Sequence, residues 1–280
     1  MSLALIAGQG DVPRMIAEHH KDAGNAPFII VLKGFESDWV RNFDHEVCGI
    51  AEIGKVLSTL RARGCDTVSF IGNVKRPDFS SLKPDLKGVS LLPKIISAAR
   101  RGDDALLNSI IMIFEAEGFK VIGAHELLDG LTQPAGVLNS VAVTDSEKAD
   151  IKEAYRIAGA IGDLDIGQGA VVCGGLVLAV EAQEGTDEML RRVARLPVEI
   201  RGTEDERKGT LLKRPKPMQD KRVDMPTIGP STVSKAAEAG LKVVAAVEHS
   251  ALWVEVEKLK SLADSLGVAL VSLRENGDWP

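Results

Sequence analysis

Short apolar runs alternate with helix-like segments through the first half of the chain, and this alternation limits the fold more than any other feature. Residues 3–7 (LALIA) read as a buried strand, a GQGD turn follows, and residues 12–20 have helical spacing with Pro13 in the first turn. Further strands are predicted at 28–32, 67–71 and 119–123, and helices at 53–62, 91–100 and 102–117. This order predicts an α/β fold with a doubly wound sheet over residues 1–130.

The turn at residues 8–11 is the first candidate binding element, formed by Gly8, Gln9, Gly10 and Asp11. A glycine turn between a strand and a helix aims backbone N–H groups and the positive helix end at an anion. The pattern lacks the third glycine of a dinucleotide fingerprint, and no acid follows the second strand. A nucleotide-sugar site therefore fits as well as NAD, and a purely structural turn remains an alternative.

Polar residues follow two later elements of the same domain. Asn73 and residues 74–77 come directly after the strand at 67–71, at the edge where parallel sheets hold ligands, although a plain polar loop explains them equally well. Asp103 and Asp104 open a long helix, with Asp103 as the predicted N-cap. Acids at a helix N-terminus are usually stabilising, and the alternative is a carboxylate that binds a sugar hydroxyl.

The second half of the chain predicts a separate α/β domain over residues 143–280, after a Gly- and Pro-containing linker at 131–142. A capping box at Thr144 opens a helix at 146–161, and a hairpin over 170–181 turns at Gly174-Gly175. Thr186 or Asp187 is expected to cap a helix at 188–195. Glu181 and Glu184 could contact a metal or sugar, although surface acids are the favoured explanation. Strands are predicted at 209–212, 243–247 and 268–271, with helices at 230–240 and 256–266.

The stretch from residue 211 to 231, LLKRPKPMQDKRVDMPTIGPS, is the strongest candidate for the site. Its prolines at 215, 217 and 226 prevent a helix or central strand from running through it. Five cations suit a phosphate ligand, and two carboxylates among them could hold a divalent ion. A solvated charged loop is the alternative, but such a loop needs no stiffness. The cations are Lys213, Arg214, Lys216, Lys221 and Arg222, and the carboxylates are Asp220 and Asp224.

The composition limits the classes of partner. The net charge of −6 and a pI near 5.5 argue against nucleic-acid binding through a basic surface. Three scattered cysteines, Cys48, Cys65 and Cys173, favour a reducing compartment over a disulfide framework or a thiolate zinc site. We find no signal peptide and no apolar run of bilayer length, so we expect a cytoplasmic protein.

Six segments, in order, resemble those of a known family along nearly the whole chain. The chain resembles the LpxI type of UDP-2,3-diacylglucosamine pyrophosphatase, a lipid A pathway family of Gram-negative bacteria. The segments are IAGQGDVPRMIAE (6–18), FIGNVKRPDF (70–79), GDDALL (102–107), GFKVIGAHELL (118–128), GQGAVVCGGLVLAVEAQEGTDEML (167–190) and KRPKPMQDKRVDMPTIGPSTV (213–233).

The resemblance implies magnesium-dependent hydrolysis of the diphosphate in a lipid-bearing UDP-sugar, giving UMP and a diacylglucosamine 1-phosphate. It also implies a Rossmann-like N-terminal domain, a distinct C-terminal domain and a substrate cleft between them. Asp224 matches the essential acid of the family. We expect Mg²⁺ on Asp224 and Asp220, and transition-state charge on Lys213, Lys216 and Arg222. The expected substrate-binding residues are Gly8, Gln9, Gly10, Asp11, Asn73, Asp103, Asp104, Gln168, Thr227 and Gly229.

The expected partners follow from this substrate. The enzyme would take its lipid from the inner face of the cytoplasmic membrane through transient contact, as a peripheral protein and a possible homodimer, with no nucleic acid. A catalytically silent UDP-sugar-binding module is the alternative, since the glycine turn and basic stretch would suffice for it. A nicotinamide oxidoreductase is disfavoured by the incomplete glycine fingerprint.

Overall fold

The chain divides into two compact units in the computed structural model, which describes residues 2–75 and 77–280. The first unit comprises Met1–Asp129 together with Asp220–Asp224, and the second comprises Gly130–Gln219 and Met225–Pro280. The sequence had placed residues 220–224 in the C-terminal domain. In the structure this short segment joins the first unit instead, because its side chains pack there.

The first unit is built on a five-stranded sheet in which every neighbouring pair of strands is parallel. Its order is β3-β2-β1-β4-β5, so the order reverses direction between β1 and β4. Such a reversal opens a crevice at the carboxyl ends of the two central strands, and the predicted Rossmann-like fold is confirmed. The strands are β1 (Leu3–Ala7), β2 (Phe28–Leu32), β3 (His45–Cys48), β4 (Thr67–Ile71) and β5 (Lys120–Val121).

Five α-helices accompany this sheet within the described residues; α3 and α4 differ from prediction, and α5 was not predicted. They are α1 (Val12–Asp22), α2 (Ile53–Ala62), α3 (Leu86–Ala99), α4 (Asp103–Ala116) and α5 (Ala124–Leu127). Helix α3 begins five residues early because Asp85 caps it, accepting a 2.7 Å hydrogen bond from the Gly88 N–H. The predicted cap of α4 is wrong: Gly102, at φ +128°, is the N-cap and Asp103 lies in the first turn.

The second unit contains a six-stranded mixed sheet in the order β6-β13-β11-β9-β7-β8. Strands β9, β11 and β13 are parallel, whereas β6, β7 and β8 each run antiparallel to their neighbours. A separate parallel pair joins β10 to β12. The strands are β6 (Gly136–Val137), β7 (Gly169–Cys173), β8 (Leu176–Val180), β9 (Thr210–Lys213), β10 (Thr227–Ile228), β11 (Val243–Val247), β12 (Leu252–Trp253) and β13 (Ala269–Leu273). Strand β6 lies inside the predicted linker.

Local signals explain several elements of the second unit. Glu147 accepts a 2.6 Å hydrogen bond from the Thr144 N–H, which completes the predicted capping box of α6. Gly174 and Gly175 both have positive φ, as a tight two-residue hairpin turn requires, and buried Asp150 accepts hydrogen bonds from both N–H groups. The helices are α6 (Asp145–Asp163), α7 (Gly185–Ala194), α8 (Pro230–Glu238) and α9 (Val256–Leu266).

The N-cap of α7 is Glu184, so the expectation that Thr186 or Asp187 caps this helix is wrong. The helix starts early because Gly185, at φ +79°, turns the chain into it directly. Apolar clusters cover both faces of the second sheet, with Leu211 and Val244 on one face and Leu212 and Val243 on the other. None of the described helices is long and apolar enough to cross a membrane.

Candidate functional site

The loops that follow β1 and β4 are joined to one another at the crevice of the first sheet. The N–H of Gly8 donates to the Ile71 carbonyl at 2.8 Å, and Gln9 and Asn73 exchange two backbone hydrogen bonds of 2.9 and 2.8 Å. The predicted residues 8–11 and Asn73 therefore lie together at the carboxyl edge of the sheet. This is the edge at which open α/β sheets bind ligands. Arg76, in the polar loop after Asn73, lies outside the described residues.

These hydrogen bonds also restrict how the glycine turn can bind an anion. The N–H groups of Gly8 and Gln9 are already used within the protein. The first turn of α1 is then the part that can present backbone donors and the positive helix end to a phosphate. Asp11 lies at this turn, with one carboxylate oxygen 3.6 Å from Arg14 Nη2.

Gly8 is required by close approach rather than by an unusual φ. A Cβ placed on it would lie 2.6 Å from the Asn73 carbonyl oxygen, which is backbone and cannot swing away. We expect Gly8→Ala to lower the free energy of unfolding by about 1–3 kcal/mol, because the two loops must separate. Urea denaturation measures this, with Gly136→Ala as the control, since no heavy atom lies within 4 Å of a Cβ there. Equal stability of the two variants would contradict the close approach.

The segment Asp220–Asp224 lies against the same sheet, through three contacts within the first unit. Val223 packs on the apolar core of that unit, and Arg222 Nη1 lies 2.7 Å from Glu115 Oε1 on α4. A Cβ on Gly123 would come within 3.1 Å of the Arg222 Cα. Gly123 follows β5, the neighbour of β4, so the segment lies at the carboxyl end of β5.

Arg222 is held rigidly within this segment. Its Nε lies 3.0 and 3.2 Å from the two Asp220 oxygens, and its Nη2 lies 2.7 Å from Asp220 Oδ2. The Arg222 hydrogen bonds hold the pKa of the Asp220 carboxyl below its usual value, although partial burial opposes them. The same Asp220 hydrogen bonds, with those to Glu115, raise the pKa of Arg222. Both oxygens of Asp220 thus have a cationic partner.

This pair predicts a pH dependence of stability. A carboxyl whose pKa is lowered on folding contributes stability that is present above its unfolded value, near 3.8, and is lost as pH falls through the folded value. We expect Asp220→Asn to be less stable than the wild type at neutral pH, with the difference shrinking below pH 3.8. Denaturant unfolding at a series of pH values measures it, and Asp205→Asn is an exposed-acid control. A difference that does not change with pH would contradict the role of Asp220.

Asp224 closes the turn of this segment and is half-buried. Its N–H donates to the Asp220 carbonyl at 3.0 Å, which fixes the backbone that carries its carboxylate. No group of three or more His, Cys, Asp or Glu that could hold a metal occurs among residues 2–75 and 77–280. Mg²⁺ in phosphate-processing sites is commonly held by one or two carboxylates plus substrate oxygens. A donor set centred on Asp224 fits a metal that arrives with a phosphate, and Asp220 is committed to Arg222.

The acids at residues 103 and 104 occupy the first turn of α4. This helix ends four residues before β5 begins, so its N-terminus points towards the carboxyl edge of the sheet. Asp104 is buried and Asp103 is half-buried. Their negative charge is favourable at the positive end of the helix, which supports the stabilising interpretation and leaves sugar binding as a prediction.

In the second unit, two buried charged residues lie on either side of Gly169 of β7: Lys213 on β9 and Glu181 directly after β8. Lys213 is 5% exposed and its Nζ lies 3.3 Å from the Thr227 carbonyl oxygen. It pairs with Gly169 on β7, and Glu181 follows β8 with its N–H on the Gly169 carbonyl at 2.8 Å. Residues opposite each other on antiparallel strands share a face, so the carboxylate and the ammonium face the same side of the sheet.

Glu181 was only weakly indicated by the sequence, and its surroundings are unusual. It is 5% exposed, and its Oε1 accepts a 2.7 Å hydrogen bond from Thr186 Oγ1 at the start of α7. Its Oε2 has no hydrogen-bond partner among the described residues. A Cβ on Gly169 would lie 2.5 Å from that oxygen, so the absent side chain of Gly169 makes room for it. The surface-acid interpretation of Glu181 is therefore wrong.

Two further predicted residues of the second unit, Lys216 and Gln168, have partners within that unit. Lys216 Nζ lies 2.7 Å from Asp165 Oδ1, and Gln219 Nε2 lies 3.4 Å from Gln168 Oε1. Thr227 is exposed on β10, and Gly229 is the N-cap of α8. No local pattern indicated three of the partner residues, Glu115, Gly123 and Asp165, because each acts through a contact with a distant part of the chain.

Comparison with known proteins identifies the family of the chain. The LpxI N-terminal domain model matches residues 2–131 and the LpxI C-terminal domain model matches residues 134–271. The chain is 49% identical over 271 residues to UDP-2,3-diacylglucosamine pyrophosphatase LpxI of Caulobacter vibrioides, covering 97% of each chain. CobK precorrin-6A reductase aligns over 100% of this chain and 89% of its own, at 16% identity and a TM-score of 0.37, which does not establish a common fold. The two domain models together span nearly the whole sequence, and the chain belongs to the LpxI family.

Proposed function

We propose that the protein hydrolyses the diphosphate of UDP-2,3-diacylglucosamine to UMP and 2,3-diacylglucosamine 1-phosphate, as a step of lipid A biosynthesis. The observation that carries this proposal is the 49% identity to a UDP-2,3-diacylglucosamine pyrophosphatase over 97% of both chains. A similarity of this extent leaves no domain of the relative without a counterpart here. The nicotinamide oxidoreductase, which the incomplete glycine fingerprint already disfavours, has no comparable support.

The geometry of the first unit is consistent with this chemistry. Hydrolysis of a phosphoanhydride needs positioned charge and a positioned water molecule more than covalent participation by the protein. The first turn of α1 and Asn73 would bind the nucleotide or sugar end of the substrate. Arg222, oriented by Asp220 and Glu115, would present a fixed cation to a phosphate oxygen. Pre-orientation matters because a cation that is already in position stabilises the transition state without a free-energy cost of reorganisation.

The cations of the second unit are assigned to the phosphates of the substrate as well. Lys213 and Lys216 would neutralise negative charge on the phosphates, with Lys213 as the more constrained of the two. Gln168, Thr227 and Gly229 would contact the remaining polar groups of the substrate. Asp103 and Asp104 are assigned to sugar hydroxyl or amide groups, because acids accept hydrogen bonds from such donors.

Magnesium is the proposed cofactor, and Asp224 is the residue that would hold it. When bound, a divalent cation neutralises phosphate charge and lowers the pKa of a coordinated water. Asp220 keeps its assignment as a further ligand only if Arg222 releases one of its oxygens. The carboxylate of Asp224 and the phosphate oxygens together match the preference of Mg²⁺ for hard oxygen donors.

The test is an assay for UMP. The protein is incubated with UDP-2,3-diacylglucosamine and Mg²⁺ in detergent, and UMP is measured by chromatography. We expect UMP to form and to cease when the metal is chelated, with recovery on adding Mg²⁺ back. Tight substrate binding without any UMP would establish the silent UDP-sugar-binding module instead.

The lipid nature of the substrate extends the proposal to location and assembly. Acyl chains reside in a bilayer, so the protein would act as a peripheral protein at the inner face of the cytoplasmic membrane. A homodimer is the proposed assembly, to be measured by light scattering. The substrate cleft between the domains remains a prediction.

A further inference from the structure

Helix α3 carries apolar side chains on two opposite faces. On the inner face, Leu91 and Ile95 pack on the core of the first unit. On the outer face, Leu86 is 93% exposed and Val89 is 57% exposed, and Pro93 is exposed beside them. A helix with one face on a core and the other in water normally has polar residues on the water side. The outer face of α3 instead exposes apolar side chains next to polar ones such as Lys94 and Ser97.

The exposed apolar residues form one continuous surface rather than scattered positions. They recur at intervals of three and four residues along α3, which places them in a single stripe. A shallow groove of about 390 Å³ runs along this stripe, lined by Val89, Leu92, Pro93, Ile96, Ser97 and Arg100. Contiguous apolar surface of this kind marks a site of interaction.

The same stretch is strongly cationic in an otherwise acidic protein. Residues 83–101 contain five Lys or Arg and a single Asp, whereas the whole chain has a net charge of −6. The one acid, Asp85, is used in capping α3. Among the described residues, four of the cations are exposed and form no ion pair: Lys83, Lys94, Arg100 and Arg101. The fifth, Lys87, pairs with Glu117 at 2.6 Å.

We propose that the outer face of α3 is a docking surface for an anionic phospholipid bilayer. This inference rests on the proposed function, in which the substrate carries acyl chains. Apolar side chains would enter the interface while the flanking cations contact the headgroup phosphates, as in interfacial helices. A second copy of the chain fits this surface less well, because a two-fold contact would place the same cations against each other.

The experiment is flotation of the full-length protein with vesicles of phosphatidylethanolamine and phosphatidylglycerol. We expect the double variant Leu86→Ser/Val89→Ser to bind at least about 30-fold more weakly, from the apolar area lost. The double variant Lys94→Gln/Arg100→Gln should bind about 20- to 30-fold more weakly, and wild-type binding should fall as salt is raised. All four residues lie at the surface or along the shallow groove, so the substitutions leave little empty space in the core.

Matched controls separate this surface from general effects. Leu164→Ser removes an apolar side chain that is 71% exposed elsewhere, and Lys33→Gln/Lys152→Gln removes two exposed cations elsewhere. Both controls should float as the wild type does. Wild-type flotation of the α3 variants, or equal binding to vesicles of phosphatidylcholine alone, would overturn the proposal. A concentration-dependent dimer that the α3 variants abolish would overturn it in favour of self-association.

Turnover of a water-soluble short-chain substrate distinguishes this proposal from the proposed function. The α3 variants should release UMP from it at the wild-type rate, because none of the substituted residues belongs to the segment Asp220–Asp224 or to the other predicted site residues. With vesicle-embedded substrate, the same variants should be slower in proportion to their lost binding. Normal vesicle binding by a protein that never releases UMP would leave the docking surface intact and refute the hydrolase.

Discussion

Replacement of Asp224 by Ala or Asn is expected to lower turnover by more than about 10³-fold while the substrate still binds. The carboxylate of Asp224 is assigned to bind Mg²⁺. It contributes chiefly in the transition state, when negative charge builds on the phosphates. Its backbone is fixed by the hydrogen bond to the Asp220 carbonyl, so Asn should leave the turn intact. UMP release measures turnover, and equilibrium binding of the substrate is measured separately.

A control variant and a second measurement make this result specific to Asp224. Asp205→Asn removes an exposed acid of the second unit and should leave turnover unchanged. Dependence on Mg²⁺ concentration gives a second readout, because the wild type should saturate whereas residual activity of Asp224→Asn should require much more metal. Full activity of Asp224→Ala would remove this residue from the site.

Replacement of Lys213 by Met is expected to lower kcat/KM by about 10²-fold or more without lowering stability. A buried ammonium requires compensation, and the only hydrogen bond of Lys213 Nζ among the described residues is the 3.3 Å contact with the Thr227 carbonyl. Met keeps the length of the apolar stem, so packing on β9 is preserved. Kinetics of UMP release and the midpoint of urea unfolding are measured on the same preparations.

The combination of lost activity and retained stability identifies a functional cation. A residue kept only for packing would show the opposite combination, with stability lost and the kinetics of the folded fraction preserved. Lys152→Met, at an exposed position on α6, is the matched control and should change neither quantity. Wild-type kcat/KM in Lys213→Met would remove this lysine from the catalytic site.

The sequence predicts the central elements well because their signals are local. The run at residues 3–7, the glycine turn and the helix after it follow from adjacent residues, and the hairpin at Gly174-Gly175 follows from its turn chemistry. Strand β3 was missed because it is an edge strand with the polar sequence HEVC, so it has no continuous apolar run.

The candidate site was only partly predictable, because its partners come from distant parts of the chain. Arg222 contacts Glu115, which lies 107 residues earlier, and no local pattern encodes that ion pair. The assignment of Asp220–Asp224 to the first unit depends on the same contact and on the packing of Val223 against the core of that unit. Gly169 and Glu181 could have been linked only by knowing the register of β7 and β8.

The division of the first unit into two chain segments has a consequence for biosynthesis. An N-terminal fragment that stops at Asp129 would lack the five residues that supply Val223 to its core and Arg222 to Glu115. On the ribosome, this unit cannot reach its final packing until residue 224 has emerged from the exit tunnel, long after its own sheet has been translated. Gene fusions or truncations that separate the two halves would therefore leave the Rossmann-like half incomplete rather than merely without a neighbour.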